Sequence, residues 1–119
     1  MKLNNQNIGK RGEEIAVDYL ESHYFDVLHR NFRTKFGEID IIAEKDNKIY
    51  FIEVKTRTNL NKGRPYESVT IRKMHQLKKA ATYFLLINNF KEYKHTISVI
   101  SIILETEDKH NLKFYESID

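Results

Sequence analysis

Two apolar runs, Glu38–Glu44 and Lys48–Arg57, bracket the dipeptide Asp46-Asn47. Both runs are rich in Ile, Val, Tyr and Phe, and Asp and Asn tolerate the left-handed backbone of a tight two-residue turn. The segment is therefore predicted to form a β-hairpin. No other feature constrains the chain as much, because the turn of a hairpin sets its register. With Asp46 and Asn47 as the loop, Lys45 faces Lys48, Asp40 faces Glu53 and Glu38 faces Lys55. A four-residue loop closed by Glu44 and Ile49 gives the same pairs, and only a bulge would shift them. Directly opposed Cβ atoms lie about 4.5–5.5 Å apart. Alternation puts Asp40, Ile42, Phe51, Glu53 and Lys55 on one face, and Ile39, Ile41, Tyr50, Ile52 and Val54 on the other. Both faces carry large apolar residues, so the hairpin is expected to be covered on both sides.

Opposed carboxylates destabilise a sheet unless something offsets their charge. A divalent cation does so, and Mg²⁺ favours one or two carboxylates supplemented by water and phosphate oxygens. Lys55 emerges two residues beyond Glu53 on the same face. A cation there is suited to stabilising charge on a phosphoryl oxygen or to orienting the attacking water. The plainer alternative is a solvated ladder in which Glu38 and Lys55 merely pair. Glu13 is a further candidate, because Gly9, Gly12, Glu13, Ala16 and Leu20 share one helix face and the small residues permit close approach to a sheet. Its plainer reading is a surface or capping Glu.

Helices are expected over Ile8–His23 and Ser68–Asn88, and further strands over Phe25–Arg33, Thr96–Glu105 and Leu112–Glu116. The order α-β-β-β-α-β-β suggests a mixed sheet flanked by helices, in one domain spanning residues 1–119. The 119 residues include no Cys, which excludes disulfides, thiolate zinc sites and thiol nucleophiles. The five His show no HxxxH spacing, and neither a phosphate-binding Gly loop nor a G-x-S-x-G elbow is present. Gly9-Lys10-Arg11-Gly12 mimics the GxxG loop of KH domains, but the residues upstream are too few to supply that fold's preceding helix. The polar first residues and the lack of a long apolar run point to a cytoplasmic protein with no membrane association.

The net charge of +3 hides a lopsided distribution. Lys55–Lys79 holds eight basic residues and one acid, a net +7 that leaves the remainder at −4. Such a block suggests a surface facing a polyanion; a solvated helix face is the alternative. His75 lies with Arg72 and Lys79 and reads as part of that basic face.

Together these residues resemble a known family. Glu on the first helix, then Asp, then Glu-x-Lys (Glu13, Asp40, Glu53 and Lys55) looks like the PD-(D/E)xK nuclease superfamily and is similar to archaeal Holliday junction resolvases. More closely, the chain resembles the YraN-like family of small bacterial proteins predicted to be endonucleases. The matching text is Gly9-x-x-Gly12-Glu13-x-x-Ala16-x-x-Tyr19-Leu20, Arg30-Asn31-x-Arg33, Gly37-Glu38-Ile39-Asp40, Glu53-Val54-Lys55-Thr56-Arg57 and Gly63-x-Pro65-x-Glu67-x-Val69 with Lys73, covering roughly residues 8 to 104. The resemblance implies a restriction-endonuclease-like α/β fold and a Mg²⁺- or Mn²⁺-dependent endonuclease acting on structured DNA, in repair or recombination. It implies metal binding by Asp40, Glu53, the Val54 carbonyl and Glu13, with Lys55 positioning water or stabilising the phosphorane. Arg57, Arg64, Arg72, Lys73 and Lys79 would hold the nucleic-acid backbone, and a homodimer is an assembly to test. The family often carries Arg and Asp entering the strand after the second helix, where this chain reads Lys94-His95-Thr96-Ile97-Ser98. The role of that acid is lost or replaced. The Gln-x-x-x-Tyr extension of RecB-type nucleases is absent, since Ala80 follows Gln76 by four. Two rival readings are a non-catalytic nucleic-acid-binding module on the same fold and a protein adaptor whose basic block faces an acidic partner.

Overall fold

The computed structural model describes residues 4–59, 69–106 and 108–119. Its elements are α1 (Asn5–Ser22), β1 (Asp26–Thr34), β2 (Gly37–Lys45), β3 (Lys48–Arg57), α2 (Ile71–Ile87), β4 (Lys94–Leu104) and β5 (His110–Tyr115), the order read from the sequence. The strands form one mixed sheet in the order β1-β2-β3-β4-β5. Only β3 and β4 run parallel, the pair whose connection contains α2; the other neighbours are antiparallel.

The hairpin forms for the reason its turn suggests. Asp46 and Asn47 adopt φ of 51° and 62°, the paired left-handed conformation of a two-residue loop that matches strand twist. Lys45 then pairs with Lys48 and Ile41 with Ile52, in the anticipated register.

Helix bounds follow their caps. Asn4 accepts the Asn7 N–H at 2.8 Å, so α1 starts ahead of the expected Ile8. Thr70 accepts the Lys73 N–H at 3.1 Å, so α2 starts at Ile71. Val69, expected inside that helix, precedes its cap and packs against the α2-side core.

The two helices cover opposite faces of the sheet. Ile15, Ala16 and Leu20 of α1 pack on Ile41, Ala43, Tyr50, Ile52, Ile100 and Ile102. Leu77, Ala81 and Phe84 of α2 pack on Ile42, Ile49, Phe51 and Ile97. The hairpin is thus covered on both sides. One residue departs from strict alternation: Ile39 lies in the α2-side cluster with Ile42, not with Ile41. The β2–β3 pairing stops at Ile41 and Ile52; beyond it β2 is paired to β1 alone, through Ile39 with Phe32, and Ile39 turns toward α2. At Gly12, α1 sits so close to β3 that a Cβ would overlap the Thr56 hydroxyl.

Candidate functional site

Where the β2–β3 ladder ends, a side chain continues it. Asp40 Oδ2 accepts the Val54 backbone N–H at 2.8 Å, which draws its carboxyl across to β3. There its carboxyl comes beside that of Glu53, close enough for each to feel the other's charge. Glu53 is buried, with 4% of its surface exposed, and points toward α2, where Lys73 Nζ stands 3.1 Å from its Oε2. The ammonium is near but off the direction a hydrogen bond needs, so Glu53 Oε2 is a buried oxygen without a hydrogen-bond partner among the described residues.

Two carboxyls in contact, one buried and one half-buried, cannot both ionise cheaply. Burial and the neighbouring Glu53 carboxyl together push the Asp40 carboxyl up to about 8; the Val54 N–H and Lys73 pull it only partly back. The pair therefore shares a proton at neutral pH. Buffered without divalent metal, the folded chain holds that proton where the unfolded chain, with an ordinary Asp, does not. Stability from this source is full below about pH 4, falls as pH rises and is gone once pH passes about 8. Urea unfolding in EDTA should show a loss on the order of 2 kcal/mol between pH 6 and pH 8.5, absent in Asp40→Asn. Other shifted groups act outside this window: Asp119, held down by Thr96 and the Ile97 N–H, titrates below it, and Tyr50, raised by burial and Glu116, titrates above it. A flat wild-type profile would mean the carboxyls do not share a proton.

The donor set fits a hard divalent cation. Two carboxyls converge, one oxygen lacks a hydrogen bond, and a proton occupies the place where positive charge is wanted. Glu13 is held separately: its Oε1 accepts from Arg30 Nε at 3.2 Å, Arg30 Nη2 at 3.1 Å and Asn31 Nδ2 at 3.1 Å. Asn31, with φ of 52°, lies on β1 between residues paired to Ile39 and Ile41, across from Asp40. Among the described residues no three His, Cys, Asp or Glu side chains cluster, so the centre as it stands is the Asp40–Glu53 pair.

The remaining candidates divide. Lys55 is half-buried on β3, in register with Ser101 of β4, and makes no ion pair among the described residues. At Val54 the visible contact is made by the N–H. Arg57 donates to the Thr56 carbonyl at 3.2 Å, and its buried Nε has no hydrogen-bond partner among the described residues. Arg72 and Lys79 are exposed on α2, whereas Lys73 turns inward to Glu53. Arg64 lies outside the described residues, as do Gly63, Pro65 and Glu67. Ser98 is fully buried and donates to the Glu116 carbonyl, tying the segment after β5 to β4. Sequence reasoning missed two roles: Lys73 as the partner of Glu53, and Arg30 with Asn31 as the partners of Glu13. The Arg30-Asn31 dipeptide and Lys73 stood out in the sequence pattern, but nothing there says which acid each meets.

Comparison with known proteins places these residues in a family. The chain is 39% identical over 107 residues to a UPF0102 protein of Caldicellulosiruptor saccharolyticus, covering 90% of this chain and 91% of the relative. It is 44% identical over 102 residues to one of Dictyoglomus turgidum, covering 86% of each. A Clostridioides difficile relative, also a UPF0102 protein, is 40% identical over 102 residues, 86% of this chain and 90% of its own. The family profile described as "Uncharacterised protein family UPF0102" matches residues 12–102, a span that holds Glu13, Asp40, Glu53, Lys55 and Lys73, and the chain belongs to that family.

Proposed function

We propose that this chain is a Mg²⁺- or Mn²⁺-dependent endonuclease of the PD-(D/E)xK type that hydrolyses phosphodiester bonds in structured DNA. The carrying observation is the Asp40–Glu53 pair, two carboxyls forced together with one oxygen left without a hydrogen bond among the described residues; Lys55 follows Glu53 by two positions on the same strand. Asp40 and Glu53 would hold the metal, with the Val54 carbonyl and Glu13 added as the family resemblance implies. The ion would polarise the phosphoryl group and acidify water. In the reaction water adds to phosphorus, one P–O ester bond breaks and the leaving oxygen takes a proton. Lys55 orients that water or offsets the charge on the phosphoryl oxygens. The Glu13 carboxylate, fixed by Arg30 and Asn31, braces the approach of α1 to the β1–β2 side of the site. Arg57, Arg64, Arg72 and Lys79 grip backbone phosphates, contacts that position the substrate without reading sequence. Cytoplasmic action in DNA repair or recombination, as a monomer or a homodimer, agrees with this chemistry. No helix among the described residues is long and apolar enough to cross a membrane.

One observation favours a second reading, a non-catalytic nucleic-acid-binding module. Lys73 already brings a positive charge to Glu53 and so offsets part of what a metal would. A cleavage panel of duplex, flap, junction, single strand and RNA, each with Mg²⁺ or Mn²⁺, separates the two. The enzyme reading expects metal-dependent cutting of at least one branched DNA. No cutting with either ion, together with no saturable Mn²⁺ binding, gives the module.

A further inference from the structure

Away from the acid pair, the outer face of α2 and the β1–β2 turn enclose a groove of about 510 Å³, within the size range of small-ligand pockets. Its walls combine aromatic rings with positive charge: Phe36, His75, Lys78, Lys79 and Tyr83, continued by Lys35 in the adjoining hollow on the far side of Phe36 and Tyr83. No acidic residue lines either hollow among the described residues. Tyr83 is 44% exposed, and one side of its ring is backed by Phe32, with centroids 6.3 Å apart and planes 29° apart. Phe32 is in turn fixed edge-on by Phe84 at 5.3 Å. Tyr83 is thus a half-exposed ring on the groove wall, backed by Phe32. Lys35 Nζ lies 5.3 Å from the Phe36 ring centroid.

Both walls lead to the acid pair. Gly37, at φ 153°, closes the turn against Gln76 of α2, where a Cβ would lie 3.3 Å from the Gln76 Cβ. From Gly37, β2 runs on to Asp40, and from Gln76 less than one turn of α2 runs back to Lys73.

We infer that this groove docks an unstacked, single-stranded segment of nucleic acid, with a base stacked on Tyr83 and phosphates held by Lys35, Lys78 and Lys79. A surface that is both cationic and aromatic matches a ligand with anionic linkages and π faces. A basic helix face alone would serve duplex phosphates equally well; the half-exposed, backed ring is what selects a base free of its stack. The inference deepens the nuclease reading, since the unpaired arm of a branched substrate would lie on the two elements that lead on to the acids, but binding itself needs no cleavage.

The test uses the full chain in EDTA, titrated against a short labelled oligothymidylate and an abasic oligomer of the same length. The oligothymidylate should bind about fivefold tighter or more. Tyr83→Ala should erase that difference and Tyr83→Phe should keep it. Lys78→Ala and Lys79→Ala should weaken both oligomers alike, each lowering the salt slope by roughly one unit. Equal affinity for the two oligomers, a difference that survives Tyr83→Ala, or displacement by polyglutamate as readily as by oligothymidylate each overturns the inference. The last of these would instead mark an acidic protein partner. Because no metal is present, failure to cut DNA leaves this result standing. Conversely, metal-dependent cutting without a base-dependent difference removes the groove and keeps the nuclease.

Discussion

Asp40→Asn should reduce metal-dependent cleavage by a factor of about 10²–10³ or more, while leaving the protein folded and, above pH 8, more stable than wild type. The amide fits the existing contacts. Its oxygen can accept the Val54 N–H that Asp40 Oδ2 now takes at 2.8 Å, and its NH₂ can donate to Glu53 without a shared proton. The variant cannot ionise, so above pH 8 the folded state no longer carries the cost of a carboxylate held in a desolvated place next to Glu53. The same change removes a charged ligand, and a hard divalent cation binds a single carboxylate more weakly than two. Nucleic-acid affinity in EDTA should be unchanged within about twofold, because the exposed cations of α2 are untouched. A variant that is stable, binds and does not cut is the expected combination. If Asp40→Asn unfolds the chain, the acid is a structural partner of the β3 backbone and the metal reading loses its principal residue.

That Asp40 would come near Glu53 was legible because a hairpin register is arithmetic once its turn is known, although the ladder itself ends at Ile41 and Ile52, one position short of them. The left-handed residues Asp46 and Asn47 fix which residues face one another, and no bulge intervenes between the turn and Ile41. The order of elements was legible for a similar reason, since each strand run and each helical stripe carries its own period. What lay beyond reach was set by contacts distant in sequence. Ile39 switches faces because the ladder ends one residue before Asp40, and nothing in the alternation of Ile, Asp and Ile announces where pairing stops. Glu13 meets Arg30 and Asn31 across 17 and 18 residues, an encounter decided by how α1 lies on β1. Lys73 was grouped with Arg72 and Lys79 by charge, yet its position on the helix, three residues past a Thr70 cap, turns it toward the sheet while its neighbours face outward. Charge density identifies a basic segment; helix phase decides which of its members reach solvent.

That distinction gives the other large expected effect. Lys73→Met should destabilise the protein by about 2 kcal/mol, whereas Arg72→Met and Lys79→Met should each change stability by less than about 0.5 kcal/mol. Removing one partner of a buried ion pair typically costs about 3–5 kcal/mol, because it strands the other charge. The value here is reduced for two reasons. The Lys73 side chain is 31% exposed, so solvent screens part of the interaction. The Asp40 carboxyl, still protonated at pH 7, also adds no second negative charge beside Glu53. Chemical denaturation at pH 7 in EDTA measures the loss, and a double-mutant cycle assigns it. If Lys73 stabilises the fold through Glu53, adding Glu53→Gln to Lys73→Met should recover more than half of the lost stability, since a neutral amide no longer needs the ammonium. Salt dependence of DNA binding supplies the independent check. Arg72 and Lys79, both exposed, should each contribute roughly one unit of slope, while Lys73, engaged with Glu53, should contribute close to none in the metal-free protein. A Lys73→Met variant of wild-type stability that loses a full unit of slope would show instead that this ammonium serves phosphate, and that Glu53 is balanced by Asp40 alone.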